Sequence, residues 1–375
     1  MEQKKSVVVF CGGRGALSVI RSLIKEGNYD ITAIINGYDD GKSTGVIRRM
    51  YNMLGPSDIR KIQLEYYRNS EFLNNDLLRL MELRASNKDE LIKYLEEPEK
   101  FLDLFIIEKN TRLYIIDKLM NFRKQMRIYE NIENYSDFSI GNCIYAATYK
   151  SLSDNIERTI LEISNLLHIR HSVLTISNES LYLCALDNSG QIYSSEYEID
   201  TSKCANFKKI YTIADYREIN NKMLLNGSLD RKCKILDSLN RVAKLSESAV
   251  QKILSANIII YAPGTRSTSF LPIFFNKETF KFISENNSAL KLFISNLNSE
   301  YKYHYCNPLE EINSFFEYSF IHDINKIINY CFIDNSFLGF KEKIEKYKFV
   351  AIFDNLTKNG LYHDGDKIVK ILKSL

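Results

Sequence analysis

Val7-Val8-Val9-Phe10-Cys11 runs straight into Gly12-Gly13-Arg14-Gly15, and apolar residues at helical spacing (Leu17, Ile20, Leu23, Ile24) follow at once. A strand, a glycine turn and a helix in that order constrain this chain more than any other feature. The arrangement belongs to doubly wound α/β proteins, which turn backbone N–H groups toward a phosphate at the start of the first helix. Glycine suits such a turn because it tolerates positive φ and leaves no Cβ to hold a ligand away. The turn is neither Gly-x-Gly-x-x-Gly nor a loop ending in Gly-Lys-Ser/Thr, so it predicts a phosphate-facing turn without naming the ligand. Gly27-Asn28 stops the helix, and Ile31 to Ile35 forms a second apolar strand. That strand empties into Asn36-Gly37-Tyr38-Asp39-Asp40-Gly41-Lys42-Ser43-Thr44-Gly45, a second polar loop at a strand end. In open α/β sheets both loops belong at the carboxyl edge, where ligands gather.

The later chain repeats the rhythm. Pro56-Ser57-Asp58-Ile59-Arg60 reads as a turn with Asp58 as the N-cap of the next helix. A charged, Tyr- and Leu-rich helical stretch then runs to about residue 132 and adds no strand to the sheet. Ser139-Ile140-Gly141-Asn142 opens a helix through Tyr149, and Ser153-Asp154 caps another. His171 to Ile176 and Leu181 to Leu186 alternate like strands. The latter leads through the Asn188-Ser189-Gly190 turn to a further strand, which predicts a β-hairpin antiparallel to, or outside, the main sheet. Ile258 to Tyr261 is a strand that ends in Ala262-Pro263-Gly264-Thr265-Arg266-Ser267-Thr268-Ser269, the third polar loop. Leu290 to Ile294 ends at Ser295-Asn296, Phe349 to Phe353 is the last strand, and Gly365 to Leu372 the closing helix. The fold class is therefore α/β: a Rossmann-like, doubly wound, mainly parallel sheet. It forms a single domain over 1–375, with a helical insertion at about 61–135 and a small β-hairpin subregion at about 171–200.

Composition narrows the function. The 375 residues carry a net charge of +3, and no basic block with interleaved aromatics occurs, which argues against nucleic acid. The seven cysteines are scattered without a Cys-x-x-Cys pair, as in a reducing cytoplasm. No apolar run reaches the roughly 20 residues of a membrane span, and the N-terminal apolar stretch is too short for a signal peptide. The expectation is a soluble, cytoplasmic protein, with monomer and homodimer both open.

The three loops hold the chemistry. Asp39 and Asp40 are adjacent, so one faces a ligand and the other braces the loop. A carboxylate beside a phosphate needs a hard cation between them, and Mg²⁺ is held by one or two carboxylates plus phosphate oxygens and water. Lys42, Arg14, Arg48, Arg60 and Arg266 offer charge for phosphates, and Ser43, Thr44, Thr268 and Ser269 offer hydroxyls. Each loop also has a plain structural reading as a turn, and Arg60 as a surface ion pair worth roughly 0–1 kcal/mol. His168 and His171 have no third ligand nearby and do not make a metal site.

As a set these motifs resemble the 2-phospho-L-lactate transferase (CofD-like) family, in order from about residue 7 to 372. Gly12-Gly13-Arg14-Gly15-Ala-Leu-Ser is similar to the Gly-Gly-Gly-Thr-Gly-Leu-Ser opening of that family. Asp39-Asp40-Gly41-Lys42-Ser43-Thr44-Gly45 resembles the Asp-Asp-Gly-Gly-Ser-Ser-Gly of its gluconeogenesis-factor, UDP-sugar-binding branch. Pro56 to Arg60, Ser139 to Asn142, Ile169-Arg170, Ala262 to Thr265 and Ser295-Asn296 follow the same branch. The resemblance implies a Rossmann-like domain with a GDP- or UDP-linked ligand. In the transferase branch Mg²⁺ assists transfer of a phospholactyl group; the other branch binds a UDP-sugar.

Carried over by position, Gly12, Gly13 and Gly15 cradle phosphate, and Asp39 or Asp40 serves the metal. Asn142, Gly264 and Thr265 line the site, and Arg170 approaches the charge. Four departures stand out: Arg14 replaces a threonine, Lys42 a glycine, Phe138 a histidine, and Asn296 is not followed by Thr-Gln-Pro-Gly-Glu-Thr.

The expected function is a transferase that binds a nucleoside-diphosphate-linked donor with Mg²⁺ and moves a phosphoester group to an unidentified acceptor. Asp39, Asp40 and Lys42 are its catalytic candidates. Gly12, Gly13, Arg14, Gly15, Ser43, Thr44, Arg60, Asn142, Arg170, Gly264, Thr265 and Asn296 are its ligand-binding candidates. The alternative is a non-catalytic UDP-sugar-binding regulator of cell-envelope or central carbon metabolism.

Overall fold

The computed structural model describes residues 4–12, 15–129, 135, 137–202, 207–220, 226–297, 307–319, 321, 323–360 and 362–375. The chain divides into two compact units. One comprises Met1–Asn36, His171–Ser177 and Leu181–Leu375; the other comprises Gly37–Arg170 and Asn178–Ser180. Strands β1 (Lys5–Phe10) and β2 (Tyr29–Ile35) lie in the first unit, and β3 (Arg84–Ala85) and β4 (Phe138–Ser139) in the second. The first unit then holds β5 (Ser172–Thr175), β6 (Tyr182–Asp187), β7 (Ile192–Tyr193) and β8 (Phe207–Ile213). It also holds β9 (Ile258–Tyr261), β10 (Leu290–Ile294), β11 (Tyr330–Asp334) and β12 (Val350–Asp354).

Seven strands form the central sheet in the order β12-β11-β10-β9-β1-β2-β5, and every neighbouring pair is parallel. The register sets Val7 beside both Ile31 and Ile258. Strands covered on both faces must be apolar at successive positions, which is why Val7–Phe10 and Ile258–Tyr261 are buried without alternation. The rings of Phe10, Tyr261, Phe270, Phe274, Phe293 and Phe315 pack edge to face in the core. From β1 the chain builds one way through β2 and β5, then returns to build the other way from β9. The reversal falls between β1 and β9, where open α/β sheets leave a crevice.

The hairpin on the Asn188-Ser189-Gly190 turn forms as β6-β7, outside the main sheet, but the region expected at about 171–200 starts too early: Ser172–Thr175 is an edge strand of the central sheet, parallel to β2. Four residues paired on one side alternate in burial for the same reason an outer hairpin strand does, so the pattern alone does not separate the two. The antiparallel sheet is β7-β6-β8, with β6 central and Ile210–Ile213 inside β8.

The second unit contains helices that follow α1 (Ala16–Glu26) in the chain. They are α2 (Lys42–Tyr51), α3 (Pro56–Arg68), α4 (Asn75–Glu82), α5 (Lys88–Glu96), α6 (Pro98–Leu102), α7 (Lys109–Ile128), α8 (Ile140–Ser151) and α9 (Ile156–Leu166). Ser139 caps α8 by accepting the Asn142 N–H. Asp58 is not an N-cap. Helix α3 begins at Pro56 with Gly55 before it, because proline at the first position needs no N–H acceptor. Asn155, rather than Ser153 or Asp154, caps α9 through the Arg158 N–H. The helical stretch also holds one short strand, β3, which pairs antiparallel with β4. Among the described residues no helix is long and apolar enough to cross a membrane.

Candidate functional site

In the first unit the loops after β1 and β9 are in backbone contact. A Cβ at Gly264 would stand 1.5 Å from the Gly12 carbonyl oxygen, and one at Gly15 would stand 2.5 Å from that of Pro263. Neither position has room for any side chain, so the glycines are required by close approach. After Gly264 the chain makes a π-helical turn over Arg266–Phe270, with the Thr265 carbonyl accepting from both Ser269 and Phe270 N–H. Turns of that kind are frequent at functional sites. Thr265 enters the arrangement through its backbone. Gly13 and Arg14 lie outside the described residues.

Asn296 grips this loop. Its Oδ1 accepts the Gly264 N–H at 3.1 Å and its Nδ2 donates to the Gly264 carbonyl at 3.1 Å. Behind it stands Glu311, which no sequence motif singled out. Its carboxylate accepts from Asn296 Nδ2 at 2.7 Å, the Asn296 N–H at 3.0 Å and Ser295 Oγ at 2.8 Å. Burial pushes the Glu311 carboxyl up from its ordinary value, opposed by Arg266 and these donors. Arg266 is itself buried and donates to the Glu310 carbonyl. Asn36, at the end of β2, ties down the same turn by donating to the Thr268 and Ser269 carbonyls. Its signal in the sequence was a polar residue ending an apolar run. Glu311 had none, because an acidic residue in the first turn of a helix is ordinary and it lies fifteen positions after Asn296.

In the second unit the Asp39 loop is braced from within. Asp39 Oδ1 accepts the Gly41 N–H at 3.1 Å, the bracing role expected of one carboxylate of the pair. Burial, then the charge of Asp58, raises the Asp39 carboxyl from its ordinary value, against the pull of Lys61 and the Gly41 N–H. Asp58 pairs with Lys61 at 2.8 Å. Lys42 has a left-handed backbone, φ +46°, at the place where the family resemblance shows glycine. Its ammonium pairs with Asp137, which also holds Arg84.

Below that loop lies a wholly buried polar cluster. Asn142 Nδ2 faces the hydroxyls of Ser57 (3.1 Å), Ser43 (3.3 Å) and Thr44 (3.5 Å), and Thr44 meets Ser57 at 2.5 Å. Asn142 Oδ1 accepts from Arg60 Nε at 2.8 Å, and Arg60 also donates to the Met81 carbonyl. Burial lowers the Arg60 pKa from its ordinary value. Arg60 is therefore no surface ion pair. A Cβ at Gly141 would stand 2.6 Å from the Arg60 side chain and 2.3 Å from the Met81 carbonyl oxygen, so Gly141 makes room for the arginine. Arg48, also fully buried, donates to the Tyr38 carbonyl.

Arg170 is on the surface, paired with Glu71 at 2.5 Å. His168 packs beside the Phe72 ring, and His171 Nδ1 accepts the Ile31 N–H at 3.4 Å. Among the described residues no three His, Cys, Asp or Glu side chains gather into a metal-binding group. The five described cysteines are free thiols.

A seven-stranded parallel sheet in Rossmann order, with glycine turns meeting at its switch point, defines a Rossmann-like α/β protein. Within that class the chain belongs to the family described as 2-phospho-L-lactate transferase CofD, which matches residues 7–362. It is 25% identical to the gluconeogenesis factor of Halalkalibacterium halodurans over 295 residues, which is 79% of this chain and 67% of that one. The gluconeogenesis factor of Bacillus subtilis is also 25% identical, over 72% of this chain and 62% of its own length. That of Listeria innocua is 24% identical over 100% of this chain and 96% of its own. Among solved structures, a UPF0052-family protein from Bacillus halodurans shares the fold at 20% identity, a TM-score of 0.69 and full coverage of both chains.

Proposed function

We propose that this protein binds a nucleoside diphosphate-linked ligand, of the UDP-sugar type, and acts as a regulator rather than a catalyst. The observation that carries the reading is the meeting of Gly12, Gly15, Pro263 and Gly264 at the switch point. There, side-chain-free backbone is what a diphosphate needs for close approach. Regulation is supported by the cations a transferase would aim at phosphate. Lys42, Arg60 and Arg170 each hold a protein partner, and Phe138 is buried where the family resemblance shows histidine. The relatives carry the name gluconeogenesis factor, which agrees with a role in metabolic control.

A second reading, a Mg²⁺-assisted transferase, is supported by the adjacent carboxylates of Asp39 and Asp40 in the second polar loop, with Asp39 braced on the Gly41 N–H. One or two carboxylates suit a hard, oxygen-preferring cation that completes its shell with phosphate and water. Asp39 and Asp40 would hold it, and it would supply charge to neutralise phosphate oxygens. The chain's own part is to brace the Asp39 carboxylate on the Gly41 N–H and to keep the Asp58–Lys61 pair beside it.

Calorimetry with UDP, GDP and UDP-N-acetylglucosamine, with and without Mg²⁺, separates the readings. UDP-sugar binding indifferent to metal supports the regulator. Mg²⁺-dependent binding that Asp39→Asn or Asp40→Asn abolishes supports the transferase. Failure of every nucleotide to bind sinks both.

A further inference from the structure

The backbone from which Asn296 reaches the Gly264 loop is fixed independently of that loop. The Ser295 N–H donates to the Phe332 carbonyl at 3.0 Å, and the buried His363 donates through Nε2 to the Ser295 carbonyl at 2.9 Å. The Asn296 side chain is left with one choice, which end of its amide faces which neighbour. The two ends have nearly the same shape, so hydrogen bonding alone decides.

Three neighbours make that decision. The Gly264 N–H needs an acceptor, the Gly264 carbonyl needs a donor, and the Glu311 carboxylate only accepts. With Oδ1 on the Gly264 N–H, Nδ2 spends one hydrogen on the Gly264 carbonyl and the other on Glu311 Oε1. A flipped amide satisfies none of the three. Glu311 adds a second hold, since its Oε2 accepts the Asn296 backbone N–H as well as Ser295 Oγ. Arg266, two residues after Gly264, donates to the Glu310 and Glu311 carbonyls at 2.8 and 3.3 Å. The first turn of the helix Pro308–Ser319 therefore grips the loop twice, once through Asn296 and once through Arg266. Glu311, Ser295 and Arg266 are buried, where an unmade bond is costly. Both Asn296 amide hydrogens and the Gly264 N–H are spent on one another and on Glu311, so Asn296 shapes the loop and is not a free donor for phosphate.

We propose that Glu311 is a positioning residue for the candidate ligand site. Through Asn296 it fixes the place of Gly264 against Gly12, and with it the bare backbone that a diphosphate approaches. The diphosphate part rests on the function proposed above; the hold on Gly264 does not.

Glutamine and aspartate at position 311 test this in opposite ways. Glutamine keeps the size of Glu311 but makes one end a donor, which must face either Asn296 Nδ2 or the Asn296 N–H. Aspartate is shorter but still only accepts. The full chain carrying isotope-labelled glycine is followed by hydrogen exchange and titrated with UDP. In Glu311→Gln the Gly264 amide should exchange about tenfold faster and UDP should bind about tenfold more weakly. Glu311→Asp should stay closer to the parent in both. The Gly27 amide, bonded to the Ile24 carbonyl in the same unit, should keep its rate.

Unchanged Gly264 exchange in Glu311→Gln overturns the proposal, as does faster exchange at Gly264 and Gly27 alike, which marks general loosening. A worse Glu311→Asp also overturns it, because packing alone predicts that order. If Glu311→Gln does not fold, Glu311→Asp decides: Gly264 exchange close to the parent's supports the proposal, and faster exchange overturns it. Faster Gly264 exchange with unaltered UDP affinity overturns the link to the ligand site. A parent chain that binds no UDP overturns the ligand reading, and the exchange rates still decide the hold on Gly264.

Discussion

The two regions that carry the candidate site residues are built by opposite means. The glycine loops after β1 and β9 are shaped by the absence of side chains: Gly15 and Gly264 sit so close to neighbouring backbone that any Cβ collides, and a Cβ at Gly12 would press within 3.1 Å of Gly264. The Asp39 region is shaped by the presence of polar side chains. Arg60, Asn142, Ser43, Thr44 and Ser57 satisfy one another in a buried network. The first kind of site tolerates no addition, and the second tolerates no deletion. Steric exclusion acts through repulsion that rises within tenths of an ångström, whereas a buried network fails by leaving a donor or acceptor unpaired.

That contrast can be broken by substitution. Gly264→Ala should have the largest effect, because the new carbon falls on the Gly12 carbonyl. A loss of more than about 3 kcal/mol in denaturant unfolding is expected, and a stable Gly264→Ala protein would dissolve the steric half of the comparison. Arg60→Met comes next. It strands the Asn142 oxygen and the Met81 carbonyl in the interior, at about 2–4 kcal/mol. Arg60→Lys should not rescue it, since an ammonium cannot reproduce the planar fork. Asn296→Ala sits between the two modes, removing side-chain bonds that hold a glycine loop. It should cost about 1–3 kcal/mol and weaken nucleotide binding in the same calorimetric titrations.

Smaller effects sharpen the picture of the Asp39 loop. The folded-state pKa of Asp39 is raised, so its ionised form opposes folding. Stability is lost as pH rises from the unfolded carboxyl value through the folded one. Asp39→Asn keeps an acceptor for the Gly41 N–H and should raise the melting temperature at neutral pH, with the gain vanishing in acid. An equal gain at both pH values would remove the electrostatic explanation. The smallest effect belongs to Lys42→Gly. It gives up an exposed pair with Asp137, worth about 0–1 kcal/mol, and relieves a left-handed lysine worth about 1 kcal/mol. The net change in unfolding free energy should be near zero or slightly stabilising.

Much of this architecture could be read along the chain. Buried parallel strands are continuous apolar runs, so β1, β2, β9 and β10 stood out, and each ends in a polar loop at the carboxyl edge. The glycines were legible as a turn, although not as a collision with Pro263 or Gly12, which requires two loops 250 positions apart to meet. Along the sequence Arg60 is a candidate for phosphate charge or for a surface pair. Only burial of the Ser139–Asn142 helix start beneath it turned it into the anchor of a network. Glu311 was invisible, because a glutamate in an ordinary helix carries no local mark of being buried.

By itself the sequence determined the fold class, the family and the positions of the loops, since those rest on local patterns of apolar and glycine residues along a strand or turn. The tertiary structure decided three things: which side chains face one another, that Ser172–Thr175 closes the edge of the sheet, and which charges are already satisfied. Hydrogen bonding and close packing act over about 3 Å in space regardless of separation along the chain, and that distance becomes available only once the chain has folded.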